Sequence, residues 1–285
     1  MKTLLVLDFN NLLFRYIDIH SSMEFNHKKT GGLYGFLTQL SFQVNLYKPD
    51  VVVVCHDKKP YKRNILFPDY KKKDKIEFDQ ERFDFINESK LYCKELLKIL
   101  KIPFWEEEGY ECDDLMAILV HKNKYKLDNI ILTTNDDDLC QLLNTNVSIH
   151  KNKGLYTMED FIKENGIHPS EWSEIEAMCG THNNIPKLYD RLGRKTAIKI
   201  YKDRSKMKDL VEKYGEQYLF NLALILLPID FNVNLKLENR CPFTFKSIEN
   251  FLIHKFGITI TKSMNDCFVQ LNEVAYFCPD MENII

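Results

Sequence analysis

Three short apolar runs frame the first half of the chain: Thr3 to Leu7, Val51 to Cys55 and Ile130 to Thr134. Runs of this length, rich in Val, Ile and Leu and bounded by polar residues, predict strands buried on both faces, as in a parallel sheet. Each hands over to acid: the first to Asp8, the second to His56-Asp57, the third to Asn135-Asp136-Asp137-Asp138. Between the first two, Leu33, Phe36, Leu37, Leu40, Val44 and Tyr47 recur at helical spacing behind Thr30-Gly31-Gly32. Strand, helix, strand at these lengths predicts a right-handed βαβ unit. Residues 75–100 predict a further helix, whose first half carries more charge than a core helix needs and reads as a surface excursion that moves. Ile102 to Trp105 predicts an edge strand, where Pro103 is tolerated. Asp113 and Asp114 open a helix reaching about His121, Leu139, Leu142 and Leu143 mark another, and Val147 to His150 is one more strand.

After about residue 150 the strand signals fade. Helices are predicted over Met158–Asn165 and Ser170–Cys179, with Ser170 as N-cap behind Pro169. Residues 180–186 form a loop, and Leu192-Gly193-Arg194-Lys195-Thr196-Ala197 leads into a helix through Ile198, Ile200 and Tyr201. An apolar helix over 216–228 ends at Pro228, and the rest reads as mostly helical without legible chemistry. The expected organisation is an α/β domain over 1–155, a helical module over 156–228 and a C-terminal segment over 229–285. The fold class is α/β, a parallel twisted sheet flanked by helices.

Composition narrows the setting. The 285 residues are 45% hydrophobic and 28% charged, as in ordinary globular chains. No apolar run approaches the ~20 residues of a membrane span. Met1 to Asp8 is a strand's length ending in an acid, so no signal peptide is expected and the chain is placed in the cytoplasm. Eight scattered cysteines form no CxxC pair. They are expected as reduced, buried thiols, with neither a disulfide framework nor a zinc site.

The net charge of −2 hides two basic flanks. From His56 to Lys75 eight Lys/Arg, including Lys58, Arg63, Lys71, Lys72 and Lys73, stand against three Asp. From Lys187 to Lys213 ten stand against four acids. Either run alone is more commonly a solvated face. Flanking an acidic centre, they suit a site that holds cations and grips a polyanion.

That centre is Glu111-Cys112-Asp113-Asp114 with the acids of the strand ends. Asp and Glu in a helix's first turn complement its macrodipole, which accounts for one or two of them. It does not account for Asp8, Asp57, Glu111, Asp113, Asp114, Asp136 and Asp138 together. Clustered carboxylates with few His or Cys partners suit Mg²⁺ or Mn²⁺ rather than zinc. Such a cluster between basic flanks suits metal-assisted phosphodiester hydrolysis. No Ser or Cys sits in a nucleophile elbow. The turn at Gly193 can bind a phosphate through backbone N–H groups, although Gly-Arg-Lys-Thr alone is also an ordinary helix entry. The P-loop frame is absent.

The motifs, in order, resemble a known family. They are Leu5-Val6-Leu7-Asp8-Phe9-Asn10-Asn11 through Arg15, Tyr34-Gly35-Phe36-Leu37, His56-Asp57, and Pro68-Asp69-Tyr70-Lys71. Glu111-Cys112-Asp113-Asp114, Asn135 through Leu142, and Leu192 through Ala197 complete the set. From residue 3 to about 230 the chain resembles the flap endonuclease / 5′→3′ exonuclease family, in its bacteriophage and bacterial polymerase-domain branch. The resemblance implies a PIN-like nuclease domain, a helical arch at about 70–90 and a helix–three-turn–helix DNA-binding module. It implies a first metal held by Asp8, Asp57, Glu111, Asp113 and Asp114, with Asp136 and Asp138 shared or serving a second. Lys71 would contact the scissile phosphate with Arg63 nearby, and Arg15 would meet the 5′ strand. Gly193, Arg194, Lys195 and Thr196 would sit on duplex phosphates, with Lys58, Lys72 and Lys73 as further DNA contacts.

Departures from the family pattern matter. A Gly-Asp-x-x-Asp-Asn segment is usual where this chain has Gly180-Thr181-His182-Asn183-Asn184. An Arg usual after the arch lysine aligns with Asp74, and the first Gly of the usual Gly-Ile-Gly turn with Arg191. The expectation is therefore a monomeric Mg²⁺- or Mn²⁺-dependent 5′ nuclease with two ions and a weak second site. It would act on branched or 5′-ended DNA or RNA–DNA hybrid, in a bacterial or phage-infected cell, during replication or primer removal. The rival is a branched-nucleic-acid binding protein that has lost most catalysis. A PIN-type single-strand ribonuclease leaves the 180–215 module without a role.

Overall fold

The computed structural model describes residues 2–72, 79–233 and 242–276, the side chains of 274–276 excepted. The elements in chain order are β1 (Thr3–Asp8), α1 (Phe9–Phe14), β2 (Glu24–Phe25), β3 (Lys28–Lys29), α2 (Gly31–Tyr47), β4 (Val51–Cys55), α3 (Lys62–Leu66), α4 (Gln80–Ile99) and β5 (Phe104–Trp105). Then follow α5 (Cys112–Asn123), β6 (Asn129–Thr133), β7 (Val147–Lys151), β8 (Gly154–Tyr156), α6 (Met158–Asn165), α7 (Trp172–Cys179), α8 (Arg194–Lys202), α9 (Arg204–Ile225), α10 (Phe245–Glu249) and α11 (Lys262–Tyr276).

One sheet runs β5-β4-β1-β6-β7-β8, parallel throughout except for the return strand β8. Its centre is buried on both faces because successive side chains of a strand point to opposite sides. Leu4, Val6, Val51, Val53, Ile130 and Leu132 join the core under α5 and α7–α9. Leu5, Leu7, Val52, Val54 and Ile131 join the core under α1, α2, α4 and the C-terminal helices. Unbroken apolar runs are the sequence form of such strands. The chain adds β4 on one side of β1 and β6 on the other, so the strand order reverses beside β1, where open α/β sheets place ligands.

Several elements depart from the pattern reading. The helix expected over 75–100 runs over Gln80–Ile99, and residues 73–78 lie outside the described region. Of the residues at about 70–90 where an arch is expected, 70–72 and the start of α4 are described. Its first turn is exposed, but from Phe85 onwards Ser89, Cys93 and Leu96 are buried. The helix expected at Leu139 is a 3-10 turn, Asp138–Leu142. His168, not Ser170, caps the 3-10 turn Pro169–Glu171 that precedes α7. The apolar stretch near 216–228 is the second half of the 22-residue α9, which ends at Ile225 before Pro228. The hairpin β2–β3 gave no apolar signal; Asn26 and His27 make its turn at positive φ (48° and 62°). The C-terminal helices also pack into the α/β core, with Ile248, Leu252, Cys267, Phe268 and Leu271 buried alongside the residues of β1 and α2. The described cysteines are free and buried: Cys55, Cys93, Cys112, Cys140, Cys179 and Cys267. Among the described residues no helix is long and apolar enough to cross a membrane.

Candidate active site

Five carboxylates gather where the parallel strands end. Asp8, the last residue of β1, caps α1 by accepting from Asn11 N at 3.0 Å, and Thr134 Oγ1 donates to its other oxygen at 3.3 Å. Asp57, just past β4, accepts from Cys112 N at 2.9 Å and from Asn10 Nδ2 at 2.7 Å. Asp113 lies in the first turn of α5. Asp136 follows β6 and accepts from Asp138 N at 2.9 Å, which fixes the turn carrying Asp138. The β–loop–helix connections thus bring four separate segments to one edge.

The group is electrostatically loaded. Burial first, then the charges of Asp57 and Asp136, push Asp8 up to about 6 against the hydrogen bonds from Asn11 and Thr134. Burial, Asp136 and Glu176 push Asp138 up to about 7, with Lys71 and Arg194 opposing. Burial and Asp136 raise Asp113 well above the usual carboxylate range, with Lys71 again opposing. Carboxylates that repel one another in this way are set to take up a cation. Oxygens of Asp8 and Asp113 and the Cys112 sulfur lie within 4.8 Å of one another. The sulfur is a poor ligand: it donates to Cys55 O at 3.3 Å, and burial raises its thiol pKa well above the ordinary value. The donor set is therefore carboxylate oxygen, which fits a hard divalent ion.

Two expected site residues are placed elsewhere. Arg63 was expected near the scissile phosphate, but it is 3% exposed and all five of its N–H donors are used. Nη1 donates to Glu111 at 2.8 Å and to Asp114 at 2.6 Å, and Nη2 donates to Asp114 at 2.9 Å and to Leu226 O at 3.1 Å. Nε donates to Leu224 O at 2.7 Å. Asp114, expected as a metal ligand, is fully buried under this fork and also accepts from Ile229 N at 2.8 Å. The pair staples α3, α5 and the end of α9 together. Glu111, 2% exposed, accepts from Arg63, from Tyr70 OH at 3.0 Å and from Lys71 Nζ. It holds Lys71 rather than opening an oxygen to the cavity.

Lys71 is the cation that faces the acids. Its backbone adopts φ 52° and its N donates to Asn183 O at 3.1 Å. Burial lowers its pKa, but Glu111, Asp113 and Asp57 more than offset this, so the ammonium stays charged. Lys58 and Lys72 are exposed, Lys72 pairing with Asp69 at 2.8 Å, and Lys73 lies outside the described residues. Arg15 is half-buried, beside the Tyr16 ring, and lines a cavity shared with Asp8 and Asp136. Gly193, Arg194, Lys195 and Thr196 are exposed at the N-terminus of α8, with Gly193 as N-cap.

A cavity of about 1330 Å³ joins these parts, lined among others by Asp8, Asp136, Asp138, Arg194 and Glu176. Glu176 escaped the sequence reading although a carboxylate inside the apolar stretch Ile175 to Met178 is a signal of its own. Thr181 and Asn183 or Asn184, set against the two aspartates of the family pattern, bring no charge. Asn183 is buried beside Asp113 and Asp138, and Asn184 Nδ2 donates to Asp69 O at 2.8 Å and Lys72 O at 2.7 Å.

A mostly parallel sheet covered on both faces, with acids at its C-terminal edge, is the α/β frame of the site. The chain belongs to the 5′-3′ exonuclease family: residues 3–168 match the family's N-terminal resolvase-like domain. It is 30% identical over 222 residues to the 5′-3′ exonuclease of Aquifex aeolicus, covering 75% of this chain and 74% of that one. It is 33% identical over 226 residues to the 5′-3′ exonuclease of Bacillus subtilis, covering 73% of each. The fold is shared with the T5 D15 protein co-crystallised with metal ions, at TM-score 0.67 and 17% identity over 96% of this chain and all of that one. A further structure of that T5 flap endonuclease, a pseudo-enzyme-product complex with DNA and metal ions, gives TM-score 0.64 at 17% identity, over the same shares of the two chains.

Proposed function

We propose that the chain is a Mg²⁺- or Mn²⁺-dependent 5′ nuclease that hydrolyses phosphodiester bonds near the 5′ ends of branched DNA or RNA–DNA. It would work as a monomer in the cytoplasm, in replication or primer removal. The observation that carries the reading is the meeting of Asp8, Asp57, Asp113, Asp136 and Asp138 at one sheet edge under Lys71. Asp8, Asp57 and Asp113 would hold the first ion, with Asp136 shared or, with Asp138, serving a weaker second. When bound, a divalent ion there supplies a water of lowered pKa and neutralises charge on the scissile phosphate. Lys71, held by Glu111 with Arg63 behind, would donate to a phosphate oxygen over the acids. The N–H groups and side chains of Gly193 to Thr196 would seat duplex phosphates, and residues 156–228 would act as the duplex-binding module. Arg15, Lys58 and Lys72 extend the basic surface along the strand path.

Digestion of a 5′-labelled flap DNA tests this directly. Short labelled products should appear with Mg²⁺ and vanish with EDTA, and Lys71→Ala should lower kcat by on the order of 100-fold, as loss of one aimed donor does. The uncharged Thr181, Asn183 and Asn184 favour a second reading, a branched-DNA binder with little catalysis. Flap DNA bound but uncut at every metal concentration would establish it. If the second site is merely weak, Thr181→Asp with Asn183→Asp should lower the Mg²⁺ needed for half-maximal cleavage.

A further inference from the structure

The cavity has two unequal sides. On one, Asp8 lines the open space with an Asp113 oxygen within 4.8 Å of its own, and Lys71 is drawn back by Glu111. On the other, the acids already meet a cation of the chain's own. Arg194, the first residue of α8, places Nε 2.7 Å from Glu176 Oε1 and Nη1 3.1 Å from Asp137 Oδ2. Its guanidinium lies 4.9 Å from the centre of the Trp172 ring. Trp172 in turn donates from Nε1 to Asp137 O at 2.9 Å, and Lys151 Nζ stands 2.8 Å from Asp137 Oδ1. The Arg194 head is thus fixed by three groups on two elements.

The charges explain why it is held there. The Glu176 side chain is 3% exposed, and a carboxylate that buried is costly without a cation close by. Arg194 supplies one that stays charged at any working pH. Asp136 and Asp138 line the same cavity beside it, and Thr181, Asn183 and Asn184 add no negative charge. A dication arriving at Asp136 and Asp138 would meet a fixed positive charge and only two free carboxylates.

We propose that Arg194 takes the part of a second divalent cation at the Glu176–Asp137–Asp138 side of the cavity, so that without DNA the chain binds one divalent ion. The inference rests on the metal-dependent reading above. It also gives Arg194 a task other than contacting duplex phosphates: it is a positioning residue that ties the start of α8 to the acidic centre.

Titration of Mn²⁺ into the full chain without DNA, followed by the EPR signal of free Mn²⁺ and by calorimetry, tests it. The wild type should take up about one tight ion. Arg194→Gln should gain a second ion, bound roughly tenfold or more tighter than any second ion of the wild type, the scale expected when one charge leaves a dication's neighbourhood. Arg194→Lys, which keeps the charge, should stay at one. Two equally tight ions in the wild type would overturn the proposal without any variant. So would an unchanged count in a folded Arg194→Gln, and if that variant also lost flap-DNA affinity, Arg194 would be a phosphate contact. No Mn²⁺ uptake by the wild type would overturn both this inference and the metal-dependent reading, whereas one ion in every variant would overturn this inference alone.

Discussion

Arg63 uses every donor it has, and two of its acceptors are carboxylates buried even more deeply than itself. Removing one partner of a buried ion pair leaves the other charge without compensation, at a cost of about 3–5 kcal/mol. Arg63→Met should therefore lose stability on that scale in urea unfolding; a loss below about 1 kcal/mol would show that Glu111 and Asp114 are compensated by other means. The acids at the sheet edge make the opposite demand. Asp8 and Asp138 titrate at about 6 and about 7, above the ordinary 3.8, so the folded state holds protons that the unfolded chain has released. The stability these protons bring is full below pH ~4 and is lost as pH rises through about 6 to 7, on the order of a few kcal/mol. Without added metal, this contribution should fall between pH 4 and 7, and Mg²⁺ should raise Tm more at pH 8 than at pH 5.5, where protons compete for the same oxygens. An equal Mg²⁺ shift at both pH values would contradict the assignment. Asp8, Asp57 and Asp136 were legible in the sequence because each follows an apolar run. That Asp113 stands beside Asp8 while Asp114, one residue on, is gripped by Arg63 was not legible, because a pairing across 51 positions decides it.

At the scale of elements, α8 carries the clearest prediction. Its N-terminal residues Gly193, Lys195 and Thr196 are exposed, and its free N–H groups add the positive end of the helix dipole. If the turn seats duplex phosphates, Lys195→Ala should weaken binding to all sequences alike and reduce the salt slope of binding by about one. An unchanged slope in a folded variant would make α8 a plain solvated face. Helix existence was readable here because Ile198, Ile200 and Tyr201 follow the turn at Gly193. Boundaries were less so. The charged first half of α9 conceals its continuity with the apolar second half. The 3-10 turn at Asp138 looks helical because Leu139 and Leu142 are both buried. The two-residue strands β2 and β3 are too short and too polar for any periodicity.

The whole molecule depends on a segment in which no chemistry was readable. The helices after residue 242 cover the face of the sheet that carries α1, α2 and α4, and their apolar residues become intelligible only once β1, β4 and α2 are in place. Ile248, Leu252, Cys267, Phe268 and Leu271 are all 0% exposed, packed with Leu5, Leu7, Val52, Val54 and the buried side of α2. Asn45 Nδ2 on α2 donates to Ser263 O at 2.8 Å, and Lys255 pairs with Glu95 of α4 at 2.6 Å. Each large apolar side chain left uncovered forfeits about 1.5–3 kcal/mol. Several together reach the whole stability of an ordinary domain, about 5–15 kcal/mol. A chain ended at residue 233 keeps every acid, Lys71, Arg194 and α8, so a chemical account of the site alone predicts an active fragment. The packing predicts otherwise: the fragment should lose its cooperative thermal transition, or melt more than ~15 °C lower, and should bind a hydrophobic dye. Circular dichroism melts of the two chains decide it, and a transition within a few degrees of the full chain would show that the α/β core and the cavity stand without their C-terminal cover.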